Sequence, residues 1–311
     1  MQSVQSLAVK AFINTFRKTL FVHKTESNTV RVGFERASHI TKFPRFVEKQ
    51  TLQYAGLNAA WFIPDNYGKS KTILYLHGGG YVMGSVNTHR ALIGRIARSS
   101  GYKALAIDYR KAPEHPYPAA VEDAANTYRQ MVKDGYENIF IMGDSAGGGL
   151  VLALLQIIRK EKLQKAAGCV LLSPWTDLTL SGDSMKTKKH VDPMVQPHLV
   201  EIFAKRYIGT ENDVKNPLIS PLYADFKGFP PIYIQVGDNE TLLDDSTRLA
   251  RKLNESGIKV DIDIYPKMMH VWQYFGGILP EANKAIEQIG AFVKSINVKT
   301  KADKLEALEV Y

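Results

Sequence analysis

Alternation of short apolar runs with helix-length amphipathic stretches limits what this 311-residue chain can fold into. "TILYLH" (72–77), "KALAIDY" (103–109), "NIFIMG" (138–143), "GCVLLSP" (168–174), "PIYIQVG" (231–237) and "KVDIDIYP" (259–266) read as strands. The middle four are almost wholly apolar, as strands covered on both faces must be. Helical periodicity lies between them, at about 87–100, 118–134, 146–162 and 244–256, and again at about 281–297. Strand alternating with helix predicts a mostly parallel sheet with helices on both faces. Upstream, "VEKQTL" and "LNAAWFIP" read as a hairpin. Near the start, Val4, Leu7, Ala8, Ala11 and Phe12 recur at helical spacing, which predicts a helix laying that stripe over another part of the protein. One gap breaks the rhythm. About fifty-five residues separate "LLSPW" from "PIYIQVG", too many for a bare loop, so they form an insertion with its own structure.

Composition bounds the class. Apolar residues make up 45% and charged residues 23%, an ordinary globular balance. The single cysteine, Cys169, forms no internal disulfide and sits in an apolar run, so it reads as a core residue in a reducing compartment. No stretch approaches the roughly 18 apolar residues of a membrane span, and the start shows no secretory apolar region. The expectation is therefore a soluble, cytoplasmic protein. The net charge is +9, and the first fifty residues hold nine Lys or Arg against three Glu. No nucleic-acid motif accompanies that excess, and the densest cluster, "MKTKKH" (185–190), reads as a solvated loop. A nucleic-acid partner is not expected.

Two glycine-rich stretches follow strands. Gly143-Asp144-Ser145-Ala146-Gly147 fits G-x-S-x-G. That spacing makes a sharp strand-to-helix turn which exposes the serine Oγ at the sheet's carboxyl edge, near the positive end of a helix. Ser145 is the candidate nucleophile. The second stretch, His77-Gly78-Gly79-Gly80, is an entropically expensive way to end a strand. Attack on a carbonyl creates an oxyanion, and backbone N–H groups must reach that charge unobstructed. Gly78, Gly79 and Ala146 are the expected oxyanion donors. His77 is expected to brace the loop. No Cys/His cluster has metal-ligand spacing, and neither G-x-G-x-x-G nor a P-loop follows a strand, so no cofactor is expected.

"HGGGYVMGS", "DYRKAPEHPYPAAVED", "GDSAGGGL" and "SPLYADFKGFPPIYIQVGDNETLLDDS" together resemble the hormone-sensitive-lipase family of α/β-hydrolases, the bacterial family IV esterases. The likeness runs in order from about residue 72 to 275. It implies an α/β-hydrolase fold: an eight-stranded, mostly parallel sheet flanked by helices, with a helical cap. Residues 1–45 and the insertion 175–228 would build the cap, and 46–174 with 229–311 the catalytic core.

The triad order in this fold is serine, acid, histidine. His270, in "YPKMMHVWQYF", is the histidine that follows both Ser145 and the last strand, and is the expected base. The loop after "PIYIQVG" offers Asp238, Glu240, Asp244 and Asp245 as acid. The family pattern points to Glu240. Asp238 reads as a turn former, and Asp244-Asp245 as a helix start. Tyr81, Val82 and Met83 are expected to line an acyl pocket. Asp108, Arg110 and Glu114 are expected to form one buried network behind the serine. Asp192-Pro193-Met194 resembles a cap signature that touches substrate in some relatives. The implied activity is hydrolysis of short- to medium-chain acyl esters. A non-hydrolytic binding protein on the same fold, an amidase and a lactonase are the alternatives. The complete set Ser145, Glu240, His270 argues for turnover. The last strand alternates charged and apolar residues like a sheet edge, where a homodimer would pair.

Overall fold

The computed structural model describes residues 3–21, 27–210 and 212–298. Eight strands form one sheet: β1 (Val47–Tyr54), β2 (Leu57–Pro64), β3 (Gly68–Leu76), β4 (Tyr102–Ile107), β5 (Ile139–Asp144), β6 (Gly168–Leu172), β7 (Ile232–Gly237) and β8 (Val260–Tyr265). The spatial order is β1-β2-β4-β3-β5-β6-β7-β8. β1, β2 and β4 pair antiparallel, and every pairing from β4 through β3 to β8 is parallel.

Nine helices are assigned among the described residues: α1 (Val4–Phe21), α2 (Ser27–Ala37), α3 (Val86–Ser100), α4 (Ala119–Lys133), α5 (Ala146–Lys160), α6 (Ser184–Thr187), α7 (Pro197–Ile208), α8 (Leu243–Glu255) and α9 (Pro280–Ser295). Strand side chains alternate between two cores, as a period of two requires. Leu74, Leu76, Ile141, Cys169, Leu171 and Ile234 pack on one face with α4, α5 and α8. Ile73, Tyr75, Phe140, Met142, Val170 and Leu172 pack on the other with α3 and α9. Both faces are covered, which is why the central strands read as unbroken apolar runs.

The register places the site. Leu76 of β3 lies beside Gly143 of β5, Asp144 beside Leu172 of β6, and Leu172 beside Gln235 of β7. The loops that leave these strands therefore emerge side by side at one edge of the sheet. Over that edge lie α1, α2 and α7. Arg31 on α2 is the main tether: it donates to the carbonyls of Val82 (2.7 Å) and Ala112 (2.8 Å) and forms a bidentate pair with Glu114.

Two expectations are corrected here. Helix α1 buries Ser6 and Ile13, while Val4 and Leu7 are 79% and 57% exposed. The predicted stripe is thus turned largely outward. Hydrogen bonds from Ser3 to Glu281 and from Lys10 Nζ to the Lys267 carbonyl set that rotation. Asp108, Arg110 and Glu114 also do not form one network. Asp108 accepts from the Val86 N–H at the start of α3, Arg110 clamps Asp123 on α4, and Glu114 holds Arg31. Their side chains leave the segment in different directions, so each ties a different helix.

The elbow between β5 and α5 is tightly packed. A Cβ on Gly143 would sit 2.5 Å from the Gly147 carbonyl carbon, and one on Gly147 would overlap the Leu76 carbonyl oxygen. Gly147→Ala should therefore cost about 1–3 kcal/mol. It should lower the midpoint of thermal unfolding further than Gly101→Ala, where φ is +77° but the space is open. Equal midpoints would show that the elbow relaxes freely.

Candidate active site

Ser145 caps α5 with φ 52° and ψ −123°, a strained conformation for a residue bearing a side chain. The surroundings fix it from both sides. The Ser145 N–H donates to the Leu172 carbonyl (2.8 Å), and its own carbonyl accepts from Trp175 N–H (2.9 Å). Ser145 lines a cavity of about 1320 Å³, open mouth included, under α1, α2 and α7. The walls are mainly apolar, with Phe12, Phe34, Met83, Leu199 and Phe203 among them. Ser145, His270, His89 and Asp144 are among the polar residues that line it.

His270 sits on the loop after β8, and its Nδ1 lies 2.9 Å from Glu240 Oε2. Both side chains are buried. The other oxygen, Oε1, accepts from the Gly237 N–H (2.6 Å) and the Ser173 hydroxyl (2.7 Å). Ser173 Oγ also accepts from the Val271 N–H (3.2 Å). One hydroxyl thus ties the acid to the backbone beside the histidine. Burial alone would depress the His270 pKa. The hydrogen bond and charge of Glu240, with the charges of Asp192 and Asp144, outweigh it and hold the pKa above the ordinary value.

The competing carboxylates have other partners. Asp238 is half-buried and accepts from the Lys267 N–H (2.5 Å). Asp244 accepts from the Ser184 N–H, and Asp245 from the N–H groups of Thr176 and Asp177. Burial pushes the Asp245 pKa up to about 7. Among these four, Glu240 alone meets His270.

The glycine loop differs from expectation at one residue. The Gly78 N–H donates to Asp144 Oδ1 (3.1 Å), so it is turned away from the cavity. Gly79 and Gly80 line the cavity instead, with φ 113° and 63°. A Cβ at Gly79 would overlap the Met83 carbonyl oxygen, so only glycine fits there. The expected substrate contacts divide likewise. Met83 is on the cavity wall, whereas Tyr81 and Val82 are buried in the core away from it. Tyr81 stacks on Tyr207 of α7 with ring centroids 3.7 Å apart. His77 braces the loop, with Nδ1 2.8 Å from the Gly78 carbonyl oxygen and its ring stacked on Tyr109. Burial, with Lys111 and His89 nearby, drives its pKa well down.

Two supporting groups, Asp144 and Ser173, lie outside the candidates that the sequence offers. Asp144 accepts from Tyr75 OH (2.8 Å) and Gly78 N–H, with His89 Nε2 3.3 Å away. Burial opposes its ionisation, but His89, Tyr75 and His77 together hold its pKa below the usual value. A carboxylate inside an otherwise apolar strand was the available signal. Ser173 stands at the end of β6, on the sheet edge where the site lies, which was its signal. Asp192 does not face the cavity. Its Oδ2 accepts from Thr241 N–H (2.9 Å) and Oγ1 (3.2 Å), and its Oδ1 from the N–H groups of Met194 and Val195. It joins the insertion to the residue after Glu240, a pairing no local pattern reveals.

A serine in a strained strand-to-helix elbow and a histidine paired with a buried glutamate, both lining one cavity on an eight-stranded mostly parallel sheet, match the α/β-hydrolase pattern. The α/β-hydrolase fold family matches residues 73–274, and the chain belongs to it. Within that fold it is a member of the hormone-sensitive-lipase family of esterases. It is 40% identical to an acetyl-hydrolase of Streptomyces hygroscopicus, over 76% of this chain and 79% of that protein. It is 34% identical to an esterase of Acinetobacter venetianus, over 74% and 76%. A solved esterase of the bacterial hormone-sensitive lipase family superposes with a TM-score of 0.91 at 38% identity, covering 95% of this chain and 99% of that one.

Asp192→Asn removes one of the charges that raise the His270 pKa. The imidazole titration, followed by proton NMR, should then move to lower pH. An unmoved titration would show that Asp192 does not reach His270 electrostatically.

Proposed function

We propose that this protein hydrolyses short- to medium-chain carboxylic esters through Ser145, His270 and Glu240. The observation that carries the reading is the buried His270–Glu240 hydrogen bond, with His270 lining the same cavity as Ser145. Ser145 Oγ attacks the ester carbonyl as His270 Nε2 takes its proton. Glu240 keeps the Nδ1 proton in place, fixing the tautomer, and stabilises the imidazolium. The N–H groups of Gly79, Gly80 and Ala146 receive the oxyanion; Gly80 replaces Gly78, whose N–H is held by Asp144. His270 then protonates the leaving alcohol, and water activated by His270 releases the acid. The chain-length reading rests on the bulky walls, with Phe203, Trp175 and Leu199 over the base.

The segments 1–45 and 175–228 act as the cap, supported by the cavity walls that α1, α2 and α7 supply. Asp192 couples that cap to the acid loop. No helix among the described residues is long and apolar enough to cross a membrane. Pairing of two copies along β8 is supported by its edge position and by Ile264, which is 46% exposed.

Hydrolysis of p-nitrophenyl butyrate tests the assignment. Ser145→Ala should lose at least about 10³-fold in kcat. Glu240→Gln should lose on the order of 10³-fold, and Asp238→Asn should stay near wild type. Greater loss from Asp238→Asn than from Glu240→Gln would overturn the triad. A folded wild type without turnover would favour the binding-protein reading. In the wild type, kcat/KM should fall as pH drops through the raised His270 pKa, because the imidazolium cannot accept the serine proton. A flat acid limb would remove His270 as base.

A further inference from the structure

The cavity walls come from both sides of the sheet. Trp175, Val200 and Phe203 line the cavity and pack in the core that contains Ala146 and α5. Val271 lines it from the opposite core. Ile13 and Phe275 line it from a cluster that includes Met268 and Met269, the residues just before His270. Tyr274 packs against both of these last groups, and its N–H donates to the Val271 carbonyl (3.0 Å). One side of the cavity therefore adjoins His270, and the other adjoins Trp175.

Aromatic rings dominate the His270 side. Phe34 of α2 stacks on Tyr274, with ring centroids 5.9 Å apart and planes inclined by 26°. Phe275 and His89 both meet Tyr274 edge-on, at 5.9 Å and 5.5 Å. All four line the cavity, so a group entering this side meets ring surface. The polar atoms among the rings are engaged. The Tyr274 hydroxyl donates to the Thr88 carbonyl, and His89 has Nδ1 2.8 Å from Thr88 Oγ1 and Nε2 3.3 Å from Asp144 Oδ2. Among the described residues no Lys, Arg or Glu lines the cavity, and Asp144, which does, already accepts from Tyr75 and Gly78. A charged group would find no free counter-charge there. The Trp175 side is closer. A Cβ on Gly80 would come within 2.5 Å of the Phe203 ring, so that ring lies directly on the glycine loop.

The chemistry decides which half of an ester each side receives. When the tetrahedral adduct collapses, the bond from the carbonyl carbon to the alcohol oxygen breaks, and His270 Nε2 gives its proton to that oxygen. The leaving oxygen must therefore lie within hydrogen-bonding reach of His270. The alcohol then extends along the His270 side, and the acyl chain points toward Phe203. We propose that this protein acts on short-chain esters of an uncharged alcohol bearing an aromatic ring, which packs against Phe34, Tyr274 and Phe275. Aromatic pairs gain energy beyond their buried area, so a ring is favoured there over an alkyl chain of similar hydrophobicity. Assigning this side to the leaving alcohol rests on the esterase reading, but its preference for a ring does not.

Turnover of 2-phenylethyl acetate against n-hexyl acetate tests the proposal. The two alcohols are alike in acidity and hexanol is at least as hydrophobic, so neither reactivity nor partitioning favours the ring. Wild-type kcat/KM should be about tenfold higher for the 2-phenylethyl ester. Phe34→Leu, at a half-buried position, should cut that ratio about threefold. Phe203→Leu should change the acyl-length profile of 2-phenylethyl esters and keep the ratio. An equal or higher kcat/KM for hexyl acetate would overturn the proposal. So would a ratio that Phe203→Leu lowers and Phe34→Leu leaves alone. Calorimetric titration of Ser145→Ala reads the ring preference without turnover: 2-phenylethanol should bind more tightly than 1-hexanol, and adding Phe34→Leu should narrow the gap. That preference in a folded protein that hydrolyses neither ester would overturn the esterase reading and leave the site as one for an aromatic ring. Hydrolysis of both esters without the preference would overturn this proposal alone.

Discussion

The Asp144 carboxylate is the interaction on which the rest of the site depends. It lies at the end of β5, one residue before the strained serine, and it reaches across to β3. There it takes the Gly78 N–H and the Tyr75 hydroxyl, while His89 of α3 closes on its other oxygen. A buried carboxylate without partners would cost several kcal/mol, so this group holds all three to one arrangement. The consequence is geometric. With Gly78 held back against Asp144, the next two residues, Gly79 and Gly80, are the ones delivered into the cavity. The elbow serine and the two cavity-lining glycines are thus positioned by a single side chain.

Glu240 and His270 are positioned by a second, parallel device. Glu240 Oε1 is held by Gly237 and Ser173, which leaves Oε2 for His270. Ser173 also receives the Val271 N–H, and its own φ of 46° turns its hydroxyl into that gap. Asp192 adds the insertion to the same assembly through Thr241. Four chain segments are therefore fixed relative to one another by carboxylates that accept several donors each. Such satisfied polar networks are rigid because moving any member leaves a buried group unpaired.

Much of this was legible before any coordinates. "NIFIMG" and "GCVLLSP" are β5 and β6 within a residue or two, because continuous apolar runs can only be central strands of a covered sheet. The helices after them followed from periodicity. Chain order pointed to His270, while it left four carboxylates open and only family likeness favoured Glu240. What local pattern missed was orientation. Helix α1 buries Ser6 and Ile13 and turns the more regular stripe of Val4 and Leu7 outward, because long-range hydrogen bonds from Ser3 and Lys10 set its rotation. Tyr81 and Val82 were placed in the pocket although a turn at φ 61° sends them into the core.

The sequence by itself determined the strand–helix order, the elbow at Ser145 and the residue types for an acyl-transfer site, because these depend on local backbone preference and on hydrophobic period. Only the tertiary structure decided which glycine N–H groups face the cavity, which carboxylate meets His270, and where Asp192 and Ser173 act. Those choices depend on strand register and on contacts between segments separated by 30 to 98 residues, such as Glu240 with His270 and Ser173 with Val271. A buried hydrogen bond is satisfied by whichever donor the fold brings within reach, and no spacing along the chain encodes that distance.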